Sequence, residues 1–214
     1  MSFKKNKYQV LRGAISKELA DVAYRYLQIS AEADNWMINN YTTHKGNPLV
    51  GNFHDVQVPG SYAKYADRFM EVLLVKTIDV MQKKTGLKLV PTYSYTRLYR
   101  TGNILNRHKD RPSCEISTTL CLGGDHWPIY LDPTGANTVI DEYKGIIKPG
   151  APIGVEVNLK PGDMLIYSGC ELEHWRKPFE GKLCGQVFLH YNPADGRFAK
   201  TNLYDKRPML GIPK

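Results

Sequence analysis

Residues 97–110 read Arg97-Leu-Tyr-Arg-Thr-Gly-Asn-Ile-Leu-Asn-Arg-His-Lys-Asp110, and the fold is decided there. They continue a run from Pro91, Pro-Thr-Tyr-Ser-Tyr-Thr-Arg-Leu-Tyr-Arg, that alternates with the period of a strand. They close on a His-x-Asp tripeptide. In an extended segment positions i and i+2 point to one face, so His108 and Asp110 can grip a single metal ion from one side. An isolated His-x-Asp is common by chance, and its meaning rests on a third ligand from a distant segment. His174 is that candidate, because it follows the strand-like run Met164–Tyr167 and the turn over 168–173. Two imidazoles and a carboxylate make a facial triad, which leaves coordination positions open for a bidentate ligand and O₂.

Outward from this core, the runs Glu115–Leu122, Pro128–Leu131, Gly154–Leu159, Met164–Tyr167 and Leu183–Tyr191 have strand character. Turn signals separate them at Asp132-Pro-Thr-Gly135, Lys148-Pro-Gly150, Lys160-Pro-Gly-Asp163 and Glu180-Gly181. Upstream the period is helical. Ser16 offers an N-cap to a helix carrying Leu19, Val22, Ala23, Tyr26 and Leu27. Residues 31–60, polar and rich in Asn, Gly and Pro, read as a long loop. A second helix is expected from about Tyr62 to Thr85, with Ser61 at its entrance, Phe69, Leu73, Lys76 and Val80 on successive turns, and Gly86 as its stop. Helices first and many short strands afterwards predict one mainly β domain. It would comprise N-terminal helical support over about 1–88, a jelly-roll core over about 89–192 and a C-terminal tail over 193–214.

Two segments carry a specific likeness. Arg97–Asp110 resembles the part of the Fe(II)- and 2-oxoglutarate-dependent oxygenases in which Tyr, Gly and His-x-Asp follow in that order. Lys160–Gly169, continued by Cys170-Glu-Leu-Glu-His174-Trp-Arg-Lys-Pro-Phe-Glu-Gly181, resembles the strand, turn and distal His of the same superfamily, closest to its prolyl-4-hydroxylase-like branch. The resemblance covers about residues 90–192. It implies a double-stranded β-helix holding Fe(II) on His108, Asp110 and His174, with 2-oxoglutarate and O₂ as cosubstrates and ascorbate as a reductant. The reaction implied is hydroxylation of a C–H bond, first of a protein side chain such as proline. A nucleobase, a free amino acid or another small metabolite is the alternative, as is a cupin-like metal-binding protein without turnover.

The far carboxylate of 2-oxoglutarate needs a cation and a hydroxyl. In the family the cation commonly lies nine or ten residues beyond the distal His, and here the tenth residue is Cys184, a departure from the pattern. Arg176, Lys182 and Arg97 are the available replacements, with Tyr99 as the hydroxyl. His190 is expected to line the pocket. His44, His54 and His126 are expected at the surface. The Asn39–Gly60 loop and the segment Asp132–Gly150 are candidate lids.

Composition narrows the class. Nothing approaches the roughly 18 consecutive apolar residues of a membrane helix, and no apolar leader follows the basic start, so a cytoplasmic protein is expected. Cys114, Cys121, Cys170 and Cys184 lack CxxC spacing and read as reduced thiols, not zinc ligands. The formal charge of +8 favours encounters with polyanions. The Lys and Arg residues are nevertheless dispersed, so nucleic acid is not an expected partner.

Overall fold

Gly86 adopts φ 74° and caps the second long helix, and from Leu89 the chain alternates as a strand. The computed structural model describes residues 2–214. Before Gly86 lie α1 (Phe3–Asn6), β1 (Tyr8–Leu11), α2 (Lys17–Asn39), β2 (Tyr62–Tyr65) and α3 (Arg68–Thr85). After it come β3 (Leu89–Arg100), β4 (Leu105–His108), β5 (Ile116–Gly124), β6 (Ile129–Leu131), β7 (Val139–Asp141) and β8 (Ile146–Ile147). The series ends with β9 (Val155–Val157), β10 (Met164–Ser168), β11 (His174–Arg176) and β12 (Leu183–Pro193).

Successive strands pass between two antiparallel sheets, a larger one ordered β1-β10-β5-β12-β3-β2 and a smaller one ordered β4-β11-β6-β9, while β7 and β8 form a separate hairpin. This is the jelly roll that the strand spacing predicted. Both faces of β3 and β12 are buried. Leu98, Val187 and Leu189 join the core that α2 and α3 lay against the larger sheet, with Ala20, Ala23, Leu27, Leu73 and Leu74. The alternate residues Tyr93, Tyr95, Arg97, Phe188 and His190 line the space between the sheets.

Three expectations are corrected. The stretch 31–60 is not all loop, because α2 runs on to Asn39. Ala31 and Asp34 continue its buried face, and Asp34 accepts from the Tyr62 hydroxyl at 2.6 Å and the Gly51 N–H at 2.7 Å. The second helix starts at Arg68, not Tyr62, since Tyr62–Tyr65 pair with β3. Asp67 is its N-cap and accepts from the N–H groups of Phe69 and Met70, whereas the Ser61 hydroxyl donates to Val58 O at 2.8 Å. The inward stripe of α3 is Met70, Leu73, Leu74, Thr77 and Met81, leaving Lys76 exposed. The tail is fastened to the body. Asp205 accepts both terminal nitrogens of Arg111 at 2.7 and 2.8 Å, and Arg207 pairs with Glu71 at 2.5 Å.

Candidate metal centre and its pocket

β4 ends on His108 and β11 begins on His174, and the antiparallel register sets these two residues directly opposite each other. Their rings are 4.2 Å apart between centroids. Just past β4, the Asp110 N–H donates to Gly169 O at 2.9 Å. Its Oδ1 lies 3.8 Å from His108 Nε2 and 3.6 Å from His174 Nε2. Ligand atoms from all three residues fall within 4.8 Å of one another.

The surroundings orient each ligand. Nδ1 of His108 bonds Asn106 O at 2.8 Å and Nδ1 of His174 bonds Leu172 O at 3.1 Å, so both rings turn Nε2 toward Asp110. The Ser117 hydroxyl donates to Asp110 Oδ2 at 2.6 Å and lies 3.0 Å from His190 Nδ1. Behind the histidines, Arg107 and Glu173, each one residue before a ligand, point the other way and pair at 2.7 Å. Arg107 also reaches Asp132 at 2.7 Å and covers the Trp175 ring at 4.2 Å, which ties the two ligand strands together. The sequence reading missed this clamp. Its signal was available, because a charge at i−1 of an inward residue in a strand needs a partner on the opposite face.

Protonation favours metal binding. Burial, then the charge of His174, pushes His108 down to about 4, so its ring is neutral near pH 7. Burial alone would raise the Asp110 carboxyl, but the charge and hydrogen bonding of His174, with His190 and His108, hold it well below the usual carboxylate range. A neutral His108 and an ionised Asp110 are in the forms that bind metal.

The three residues form the floor of a cavity of about 400 Å³ whose walls include Tyr93, Tyr95, Arg97, Phe188 and His190. Asp55 and Gln57 of the segment after α2, and Glu142 and Tyr143 between β7 and β8, overhang it, within the two stretches expected to act as lids. His44, His54 and His126 are exposed, as expected.

The cation candidates separate clearly. Lys182 is exposed at the surface, with its backbone N–H engaged by Asp125, whereas Arg176 and Tyr99 are buried just behind the cavity lining. Lys182 is dropped from the site. Arg97 lines the cavity but is already paired with Asp55 at 2.6 Å. Arg176 is 1% exposed. It donates to Trp127 O and, at 3.3 Å, to Thr119 Oγ1, while its Nε has no partner. Among the described residues no carboxylate pairs with it. The Tyr99 hydroxyl is likewise buried and unpartnered. Cys184, directly across from Tyr99 on β12, has its thiol pushed up by burial and carries no positive charge.

With this geometry in view, three solved structures are informative. HygX from Streptomyces hygroscopicus, solved with nickel, 2-oxoglutarate and hygromycin B bound, superposes with a TM-score of 0.64 at 13% identity, covering 90% of this chain and 85% of that one. The chain has the fold of the 2-oxoglutarate–iron oxygenases. An oxidoreductase of the 2OG-Fe(II) oxygenase family from Burkholderia pseudomallei gives 0.59 at 12% identity, over 96% and 91% of the two chains. A Pseudomonas putida prolyl-4-hydroxylase gives 0.52 at 12%, over 89% and 95%. By sequence alone, no protein-family model and no curated protein matches. No helix among the described residues is long and apolar enough to cross a membrane.

Proposed function

We propose that this protein is an Fe(II)- and 2-oxoglutarate-dependent dioxygenase that hydroxylates a substrate C–H bond. The observation that carries the reading is the convergence of His108, Asp110 and His174 on one point of the cavity floor, each turned there by its own hydrogen bonds. HygX, with nickel and 2-oxoglutarate on the same fold, supports it.

The residues present fit the cosubstrate. A buried guanidinium without an anion costs several kcal/mol, a penalty that a bound carboxylate removes. Arg176 and Tyr99 offer such a carboxylate an unpartnered N–H and an unpartnered O–H. Arg176 lies two residues beyond His174 on β11, and both are buried on one face, roughly 6.5 Å apart along the strand. That span suits a five-carbon diacid held at the metal by one end. Arg176 and Tyr99 would hold its far carboxylate, the cation coming from β11 where Cys184 stands on β12.

Iron, when bound, supplies the oxidative chemistry that couples decarboxylation of 2-oxoglutarate to hydroxylation. The protein's own part is arrangement. His108, His174 and Asp110 would hold the iron at the cavity floor, while Ser117 fixes the carboxylate. Tyr93, Tyr95 and Phe188 supply aromatic wall to the space above the ligands. The sequence preference for a protein side chain such as proline, over a nucleobase or small metabolite, concerns what enters between the two overhanging segments.

The test is succinate formation from 2-oxoglutarate with Fe(II) and ascorbate, measured for the wild type and for His174→Ala and His108→Ala. Turnover in the wild type and none in either variant is the expected result. Wild-type protein that binds iron but never releases succinate would leave a metal-binding protein without turnover.

A further inference from the structure

The cavity wall above the metal carries one built charge pair that metal and cosubstrate do not use. Arg97, 2% exposed, donates from its terminal nitrogens to Asp55 Oδ2 at 2.6 Å and to Gln57 Oε1 at 3.3 Å, and its Nε has no partner. Asp55 Oδ2 also accepts from the Tyr95 hydroxyl, and its Oδ1 accepts from the Gln57 N–H at 2.7 Å. A carboxylate offers about four acceptor positions, so one is left. One Nη1 hydrogen of Arg97 is also unspent, so the pair keeps a cationic donor and an anionic acceptor side by side, and both residues line the cavity.

Resting on the oxygenase reading, we propose that the substrate of this pocket is a small zwitterion of the free amino-acid kind, its carboxylate taken by Arg97 and its ammonium by Asp55. The rest of the wall agrees. Arg111 is neutralised by Asp205, and Lys109 is held by Asn137 at 2.7 Å. Glu142 on the facing hairpin adds a second carboxylate near the mouth. Opposite charges therefore balance around the cavity. Such a wall repels neither end of a dipolar ligand. A cavity of about 400 Å³ shared with 2-oxoglutarate leaves room for a molecule of amino-acid size. A peptide amide also offers a donor beside an acceptor. It is uncharged, and it gives up the charge-assisted bonds that a carboxylate and an ammonium make here.

Calorimetry on protein loaded with Ni(II) and 2-oxoglutarate tests the assignment without turnover. The probes are the free L-amino acids, their N-acetyl derivatives and their methyl esters. We expect at least one free amino acid to bind, and its N-acetyl and ester forms to bind at least about tenfold more weakly, a loss of roughly 1.4 kcal/mol for either charge. Asp55→Asn should erase the preference for the free amine, and Arg97→Gln the preference for the free carboxylate. The wild-type comparison among probes stands even if Arg97→Gln fails to fold. Equal or tighter binding of N-acetyl amino-acid amides overturns the inference in favour of a peptide. Intact 2-oxoglutarate binding with no amino acid bound overturns it while sparing the oxygenase reading. Failure of 2-oxoglutarate itself to bind overturns both.

Discussion

Gly169 offers the sharpest test of how the metal ligands are held. A Cβ built on it would lie 2.4 Å from Asp110 Oδ2, 2.4 Å from Cys114 O and 2.5 Å from Ser117 Oγ, where ordinary contact begins at 3.4 Å. Gly169→Ala therefore demands about 1 Å of movement from each neighbour. Cys114 O is backbone and gives only if the chain shifts, whereas the Asp110 carboxylate and the Ser117 hydroxyl can turn on their side chains and are displaced first. Turning the carboxylate away breaks the 2.6 Å bond from Ser117 and swings Oδ1 off the point it shares with the two Nε2 atoms. Disturbing the groups that orient a ligand costs about 10–100-fold in metal affinity, and overpacking costs about 1–3 kcal/mol of stability. Gly181→Ala is the control. Its Cβ would meet Asp125 Cβ at 2.5 Å and the Phe179 ring at 2.7 Å, the same kind of crowding away from the triad. Mn(II) titration and thermal melting of both variants separate the effects: both should melt lower, and only Gly169→Ala should lose metal. If Gly169→Ala binds Mn(II) as tightly as the wild type, Asp110 is not held where the metal needs it.

Other consequences follow from the same structure. Arg176→Met should weaken 2-oxoglutarate binding at least about 30-fold, from roughly 2 kcal/mol for a lost charge-assisted bond, with metal binding retained; a loss in Arg97→Gln instead would move the cation to β3. Asp67→Ala removes the cap of α3 and strands the Tyr26 hydroxyl, which donates to it at 2.7 Å. It should cost about 2–4 kcal/mol by urea unfolding, and Asp67→Asn should recover the capping part. His108 and His190 sit at about 4, below their ordinary 6.5, with burial the leading cause in both. The unfolded chain therefore takes up their protons first, so metal-free protein should lose stability as pH falls from 6.5 toward 4 and lose nothing from these groups above that window; in urea titrations the pH slopes of stability of wild type and His190→Gln should differ only within it. Binding to single-stranded DNA or RNA should be weak near physiological salt, and submicromolar affinity by fluorescence anisotropy would promote a nucleobase substrate.

The triad was legible because its information is local: a strand period, a tripeptide and a second strand ending on His174. Strands β3, β5, β6, β9, β10 and β12 were legible for the same reason, marked off by Gly and Pro turns, whereas the hairpin β7–β8 lay in a stretch read as a lid. Asp34 was not, because a carboxylate in a polar stretch reads as solvated until Tyr62 and Gly51, far along the chain, supply its hydrogen bonds. Tyr62–Tyr65 stands so close before the apolar helix α3 that only its pairing with β3 reveals a strand. The choice among Arg97, Arg176 and Lys182 turned on partners. Alternation placed Arg97 and Arg176 on inward faces, but only the fold shows that Asp55 claims Arg97 and that, among the described residues, no carboxylate claims Arg176. The hold of Arg111 on Asp205 spans 94 residues and left no mark in any window.

The two faces of the larger sheet divide the work. Toward α2 and α3 it is packed with Leu, Ala and Met, and burial there supplies the main stabilisation of the fold. Toward the smaller sheet it carries Arg97 and Tyr99 on β3, Ser117 on β5 and His190 on β12, facing Asp110, His174 and Arg176. An interior this polar is costly unless its donors and acceptors are matched, and folded proteins rarely leave them unmatched. Here Tyr99 Oη, Arg97 Nε and Arg176 Nε remain without partners, all on β3 or β11 and on the residues proposed to receive carboxylates. The helix-packed face can carry that unpaid desolvation, which is what permits a ligand to complete the other. Binding of 2-oxoglutarate should therefore raise the melting temperature through Arg176 and Tyr99, and at a fixed ligand concentration Arg176→Met should shrink that increase while leaving the increase produced by metal alone.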